Sequence, residues 1–332
     1  MQTVVLVVEN LMDADRLQQG WEIPNLGNTE IIVVKDIKKL VNSFNEQSEC
    51  HHFFSGINSY PLLYEAFKLI IKKQKVNVIA ESAIQLGFKS KIRFIKYKYL
   101  ALLYNNNIEN IFAMGDLGVD WYRKSGFSPD KIHRFQYTIE LPEAADLHFQ
   151  EFEKEENCCR FTFIGQLINR KGIDNLLNAL SKVKNQDWHL NIIGDGILHT
   201  EISEMIKSLK LNDKITLYGV KSNREAMLFL SNHTDYLILP SRFDGWGAVV
   251  NEALARGVKV ITNEKCGASC MIENNFWGRI YKEGDKKKLT ETIETVIVAN
   301  KITPAAQRAQ LSFDYTVQHQ KNVLHNFITY FI

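Results

Sequence analysis

Apolar and polar positions divide the chain into two series of alternating elements. In the first half, Val4–Val8, Ile31–Val34, His52–Ser55, Val76–Ala80, Ile111–Met114 and Ile132–Tyr137 are short runs of strand character. Helical spacing lies between several of them, over Tyr60–Lys72, Lys91–Tyr104 and Leu117–Ser125, and this alternation predicts a parallel sheet wrapped by helices. From Glu140 to Glu156 the composition turns acidic and both periodicities fade, which places a domain boundary there. A second series follows, with strands Phe161–Ile164, His189–Ile193, Ile215–Tyr218, Tyr236–Leu239 and Val258–Thr262 and helices Gly172–Val183, Thr200–Leu209 and Asn223–Ser231. After Pro304, well placed at a helix start, a segment carrying Phe313, Val317, Leu324, Phe327, Ile328 and Phe331 ends the chain. The pattern predicts an α/β protein of two Rossmann-like domains, residues 1–150 and 157–302, facing each other across a ligand cleft. A helix over 303–332 is expected to pack back across both.

The densest candidate chemistry lies in the second series. Asp235–Pro240 (D-Y-L-I-L-P) is a strand buried on both faces, and A-V-V-N-E-A-L-A-R after Gly247 has helical spacing up to Gly257. In such a strand, turn and helix, the turn sits at the carboxyl end of the strand, where unpaired N–H groups favour an anion. Asp244 enters that turn, Gly245 and Gly247 leave the main chain open to a ligand, and Glu252 follows about one and a half turns into the helix. The strand at Phe161–Ile164 leads into G-Q-L-I-N-R-K-G-I-D, Gly165–Asp174, whose Arg170 and Lys171 precede the next helix. Ile192–Ile197 and Leu217–Val220 also carry glycine after a strand, which suits a ligand edge or a simple turn. In the first half the corresponding loops are Glu9-Asn10, Ser55-Gly56, Glu81-Ser82 and Gly115-Asp116. Glu81 and Gly56 are the candidates there for contact with a substrate, which under the resemblance given below would be the acceptor, and a solvated loop carboxylate also accounts for Glu81.

Composition narrows the classes. With 332 residues, 45% of them hydrophobic and 23% charged, the chain can build two cores, and a fibrous or disordered protein is excluded. A net charge of +2 gives no whole-molecule case for nucleic acid. Charge is nevertheless concentrated locally. Lys68 to Lys98 holds nine Lys or Arg against one acid, Glu81, and around Arg93 they interleave with Ile92, Phe94, Ile95, Tyr97, Tyr99 and Leu100. Two readings of Lys89–Tyr104 stay open, peripheral contact with an anionic membrane surface and a solvated helix with its apolar side in the core. Five cysteines, an odd and sparse set, suit reduced thiols rather than disulfides or a zinc site. The apolar start is short and no later run approaches the roughly 20 residues of a spanning helix, so a cytoplasmic protein is expected, peripheral on the inner membrane face under the first of those two readings. Neither G-x-x-x-x-G-K-[ST] nor an opening G-x-G-x-x-G occurs, which argues against a P-loop NTPase and a simple dinucleotide oxidoreductase.

Gly165–Gly172, Gly194–Gly196 and Pro240–Ala253 stand in the order and spacing of G-R-L-x-x-x-K-G, G-x-G and P-S-x-x-E-G-F-G-x-x-x-x-E-A. On these motifs the chain resembles the family 4 retaining glycosyltransferases of the GT-B fold over Arg160 to about Ala299. Its F-A-M-G-D-L-G-V-D-W-Y-R-K-S-G-F looks like that of bacterial surface-polysaccharide members. The resemblance implies transfer of a sugar from a nucleoside diphosphate of the UDP or GDP type to a glycan or lipid-linked glycan, without cofactor or metal. It implies Asp244 as the catalytic carboxylate and a donor site of Gln166, Arg170, Lys171, Val220, Gly245, Trp246, Gly247, Ala248, Val249 and Glu252. Glu252 would take the ribose, Val220 the base, and the N–H groups of Gly247 to Val249 the sugar-phosphate region. Asp244 stands for the family's glutamate and Gln166 for its arginine, so reach and phosphate grip both differ. An epimerase of the same fold and a catalytically silent nucleotide-sugar-binding subunit remain as alternatives.

Overall fold

A computed structural model describes residues 5–8, 29–33, 35–46, 50–140, 142, 158–272, 274–299 and 305–331. The chain divides into two units, Met1–Phe135 and Gln136–Ile332. Most of the acidic stretch expected at the boundary, like Glu9, Asn10 and Pro304, lies outside the described residues.

In the first unit β1 (Val5–Val8) and β2 (Glu30–Val33) form a parallel pair, with Val5 opposite Glu30. The main sheet sets β3 (Phe53–Ser55), β4 (Val76–Ala80), β5 (Ile108–Met114) and β6 (Ile132–Phe135) side by side in chain order, all parallel. Among the described residues four helices accompany them: α1 (Ile37–Glu46), α2 (Pro61–Ile70), α3 (Lys89–Tyr104) and α4 (Gly115–Lys124). The sequence pattern misses α1, a lysine-rich helix that commits Leu40 to the core. It also starts β5 three residues late and carries β6 two residues too far. Phe54, Phe67 and Tyr104 anchor the interior, Phe67 meeting the other two edge to face at 5.1 and 5.2 Å.

Among its described residues the second unit holds six strands, β7 (Cys159–Ile164), β8 (Trp188–Ile193), β9 (Ile215–Leu217), β10 (Tyr236–Leu239), β11 (Lys259–Asn263) and β12 (Gly278–Tyr281). Their order is β12-β11-β10-β7-β8-β9, every pair parallel. The chain starts in the middle, builds outward through β8 and β9, then returns to β10 on the other side of β7. This doubly wound order puts a switch point between β7 and β10, where loops leave in opposite directions and a ligand crevice opens at the carboxyl ends. Being central, β10 buries all four of its residues, which is why it is apolar throughout.

Helices α5 (Ile173–Leu180), α6 (His199–Ser208), α7 (Asn223–His233), α8 (Val249–Ala255) and α9 (Lys286–Ala299) cover the sheet. A capping box starts α7: the Ser222 hydroxyl accepts the Glu225 N–H while the Glu225 carboxylate accepts the Ser222 N–H. The expected terminal helix is three pieces, α10 (Ala305–Phe313), a π-helical turn over Asp314–Gln320 and α11 (Lys321–Thr329). The wider turn lets Tyr315 and Gln320 both face inward, where the Tyr315 hydroxyl donates to Gln320 Oε1 at 3.1 Å. Gln320 Nε2 donates in turn to the Ile139 carbonyl at 2.7 Å, so this segment fixes the chain that enters the unit.

Candidate functional site

The loops after β7 and β10 meet at the switch point. After β7 the chain makes a 3₁₀ turn over Asn169–Lys171 and reaches Gly172 in the left-handed region, φ 68°, before α5 begins. A Cβ there would lie 2.3 Å from the Pro240 carbonyl oxygen, so only glycine lets the two loops touch. Side chains then lock them together. Arg242 forks onto Asp174 with contacts of 2.8 and 2.5 Å and also donates to the Asn169 carbonyl at 2.6 Å. Desolvation raises the Asp174 pKa, but the Arg242 guanidinium and two backbone N–H groups outweigh it and hold the carboxyl below the usual range. From the other side Arg170 donates to the Phe243 carbonyl at 3.1 Å, and the Arg170 carbonyl accepts the Arg242 N–H.

Asp244 is the focus of this clamp. It is buried, and its carboxylate accepts Lys171 Nζ at 2.6 Å while Arg170 Nη1 stands 3.5 Å from its other oxygen. Ser241 Oγ adds a third contact at 3.4 Å. Asp244 is thus the counter-ion of Arg170 and Lys171, the two cations of the implied donor site. Its main chain is tied to the loop after β11, the N–H to Lys265 and the carbonyl to the Gly267 N–H. Behind it Cys266 is fully enclosed, and burial, with the Asp244 charge beside it, pushes the thiol pKa up to about 12. A thiol held so firmly protonated is packing, not a nucleophile.

The glycines of the turn also allow close packing. A Cβ on Gly247 would come within 2.8 Å of Leu239 and 2.9 Å of Cys266 Sγ. Likewise one on Gly194 would lie 2.1 Å from the Gly165 carbonyl oxygen, so the G-x-G after β8 exists to let two loops meet. Trp246 is also placed differently from the motif's assignment: its indole is in the core and donates to Asn251 Oδ1 at 2.8 Å. Asn251 donates to the Tyr137 carbonyl and meets the Tyr315 hydroxyl, each at 2.8 Å, which anchors α8 from beneath. Neither Asn251 nor Arg242 stands out in the sequence, although both lie inside the motif that does.

Of the remaining assigned residues, Gly245 is buried in the turn, and Ala248 and Val249 are half-buried at the start of α8. Gln166 is half-buried on the loop after β7, and Val220 is exposed beyond β9. Glu252 is half-buried on α8, and desolvation raises its pKa although Arg256 and an Asn223 hydrogen bond pull the other way. The folded chain therefore holds that proton more tightly than the unfolded chain. Stability from protonation is complete below the unfolded value and is lost as pH rises through the folded one. Glu252→Gln is accordingly expected to raise the melting temperature at pH 8 and to lose that advantage by pH 4, as thermal unfolding across pH would read. An advantage of equal size at both pH values would contradict a desolvated carboxyl with a raised pKa. In the first unit Glu81 follows β4 at half exposure, its carbonyl 3.5 Å from the Tyr122 hydroxyl. Gly56, φ 78°, donates its N–H to Ile79. Among the described residues no group of three His, Cys, Asp or Glu side chains is arranged to hold a metal ion.

A model of the glycosyl transferases group 1 family matches residues 145–310, half of the chain. A 41.2 kDa protein in the cps region of Klebsiella pneumoniae is 25% identical over 285 residues, covering 83% of this chain and 75% of that protein. The capsular polysaccharide biosynthesis glycosyltransferase CapM of Staphylococcus aureus is 28% identical over 136 residues, 41% of this chain. The chain spans only 36% of CapM's length. Among solved structures, the lipopolysaccharide outer core galactosyltransferase WaaB aligns over 100% of both chains with a TM-score of 0.72 at 13% identity. Anabaena Alr3699/HepE in complex with UDP-glucose aligns over 99% of this chain and 100% of its own, with a TM-score of 0.70 at 14% identity. These two likenesses are of fold, which is GT-B.

Proposed function

This chain belongs to the glycosyl transferases group 1 family, and from that premise we propose that it transfers a sugar, with retention, from a uridine or guanosine diphosphate to a hydroxyl of a glycan or lipid-linked glycan in polysaccharide biosynthesis. One observation carries the reading: Lys171 and Arg170 converge on Asp244 where the loops after β7 and β10 meet. Two cations and one carboxylate, drawn together at a switch point beside the start of α5, suit a ligand that is anionic at its diphosphate and becomes cationic at its sugar.

In the proposed reaction the donor diphosphate takes over Lys171 and Arg170, and Asp244 is released towards the anomeric carbon. That carbon exchanges its bond to the diphosphate oxygen for one to the acceptor oxygen on the same face, and the acceptor's proton passes to the departing diphosphate oxygen. The cations stabilise the departing diphosphate and the carboxylate stabilises the positive charge developing on the sugar. Glu252 holds the ribose, Val220 borders the base, and the backbone of Gly247 to Val249 lies along the sugar-phosphate.

The reading is tested by incubating the protein with UDP- and GDP-sugars and a polysaccharide-repeat acceptor, following release of nucleoside diphosphate and the anomeric configuration of the product. Release that depends on acceptor, with retention, is expected. Interconversion of donors without release would make it an epimerase, and affinity without turnover a silent binding subunit. Gln166→Arg probes the phosphate end. Gln166 sits on the same loop as Lys171, so a guanidinium there adds a bidentate fork, and donor affinity by calorimetry is expected to hold or tighten. A large loss would mean that Gln166 has a partner of its own.

A further inference from the structure

We propose that the outward face of α3 docks this protein in the plane of an anionic lipid bilayer. The proposal stands on that surface alone and does not depend on the transfer reaction. Tyr97, Leu100 and Ala101 turn one side of α3 into the core of the first unit. Phe88, Ile92, Ile95, Tyr99 and Leu102 are all exposed, Phe88 to 76% and Leu102 to 85%. Their spacing of four, three, four and three residues places them in one stripe, and at about 100° per residue that stripe lies opposite the buried side. Five large apolar side chains in a continuous exposed row are more than the scattered surface hydrophobics of an ordinary helix.

What flanks the stripe identifies its occupant. Lys91 and Lys98 run along one border and Lys89 and Lys96 along the other, all four exposed. The helix carries Arg93 besides and no acid at all. A second copy of the chain laid on this stripe would set lysine borders against lysine borders, which opposes self-pairing. An anionic bilayer answers both features, taking the apolar row into the acyl boundary while the lysine stems splay towards lipid phosphates. Its 16 residues make a helix of about 24 Å, shorter than a hydrocarbon core of about 30 Å, and one of its faces is already committed to protein. No helix among the described residues is long and apolar enough to cross a membrane. The helix therefore lies along the surface. Arg93 donates to the Ile84 carbonyl at 3.0 Å, which braces the preceding loop and its own exposed Ile84 against the same end of α3.

The test is co-sedimentation of the full chain with vesicles of phosphatidylcholine alone and of phosphatidylcholine with about 30 mol% phosphatidylglycerol. Two triple variants are compared with the parent, Ile92→Ser/Ile95→Ser/Leu102→Ser and Lys91→Gln/Lys96→Gln/Lys98→Gln. All the changed side chains are exposed, so both variants should melt as the parent does, which circular dichroism verifies. The parent is expected to bind the phosphatidylglycerol vesicles at least about tenfold more tightly than the neutral ones, in a salt-sensitive manner. The serine variant should lose about tenfold or more of that affinity and the glutamine variant on the order of a hundredfold. Equal binding to the two vesicle types, absence of binding at low salt, or a serine variant that binds like the parent would overturn the proposal. So would a lipid-independent dimer that the serine variant dissociates, since the stripe would then belong to a second copy.

Discussion

Asp244→Asn is expected to slow transfer by at least about a hundredfold while nucleoside-diphosphate affinity is kept or rises. The two halves of that result have one cause. In the folded chain the Asp244 carboxylate holds Lys171 at 2.6 Å and Arg170 at 3.5 Å, all three side chains largely or partly shielded from water. An amide of the same shape keeps a hydrogen bond to Lys171 but no longer competes with a diphosphate for the cations. Binding should not suffer from its introduction. Turnover should, because the developing positive charge at the sugar loses its nearest counter-charge. Stability is expected to fall by about 1–3 kcal/mol, the ordinary cost of weakening shielded charge-assisted hydrogen bonds. Steady-state rates, calorimetric titration with UDP and GDP, and thermal melts together decide the matter. Wild-type turnover with a lowered melting temperature would reduce Asp244 to a structural counter-ion.

That reading of Asp244 was only half present in the sequence. The apolar run Asp235–Pro240 and the helical spacing after Gly247 make strand, turn and helix legible because each is a local pattern. The charge partners are not local. Lys171 and Asp244 stand 73 positions apart in the chain, and what joins them is the return of the chain from β9 to β10 beside β7. No periodicity encodes that strand order. The loop contacts at the glycines are hidden for a related reason, since a residue without a Cβ suits the approach of a ligand and of another loop equally well. Only in the fold does Gly194 meet Gly165, Gly172 meet Pro240 and Gly247 meet Leu239 and Cys266. Helix α3 carries apolar side chains on two sides, since Tyr97 and Leu100 enter the core while Ile95 and Leu102 leave it. A helix apolar on two opposite faces has no single stripe for a pattern to find. Beneath α8, Asn251, Tyr315 and Gln320 escaped because a buried polar network joins residues from distant segments, none unusual in its own.

Lys171→Ala separates the site's two functions from the other side. Lys171 is the nearest cation to Asp244 and lies at the turn that precedes α5, so its ammonium is placed for a diphosphate and for the carboxylate alike. Removing it is expected to weaken nucleoside-diphosphate binding by roughly tenfold to a hundredfold, the equivalent of a lost charge-assisted contact of about 1.5–3 kcal/mol. The same change leaves Asp244 shielded with only the longer Arg170 contact to balance it, so the melting temperature should fall as well. Lys171→Ala/Asp244→Asn then discriminates between the roles. Taking away the carboxylate together with its partner removes the uncompensated charge, and the double variant should melt above Lys171→Ala alone. Affinity for the diphosphate should stay low in it, because no residue has replaced the ammonium. If the double variant recovered affinity along with stability, Lys171 would act on the ligand only by holding the loop in shape. If Lys171→Ala alone bound UDP and GDP like the parent, the diphosphate would have to be assigned to other donors at this edge, with Arg170 and the backbone at the start of α8 the next to be tested.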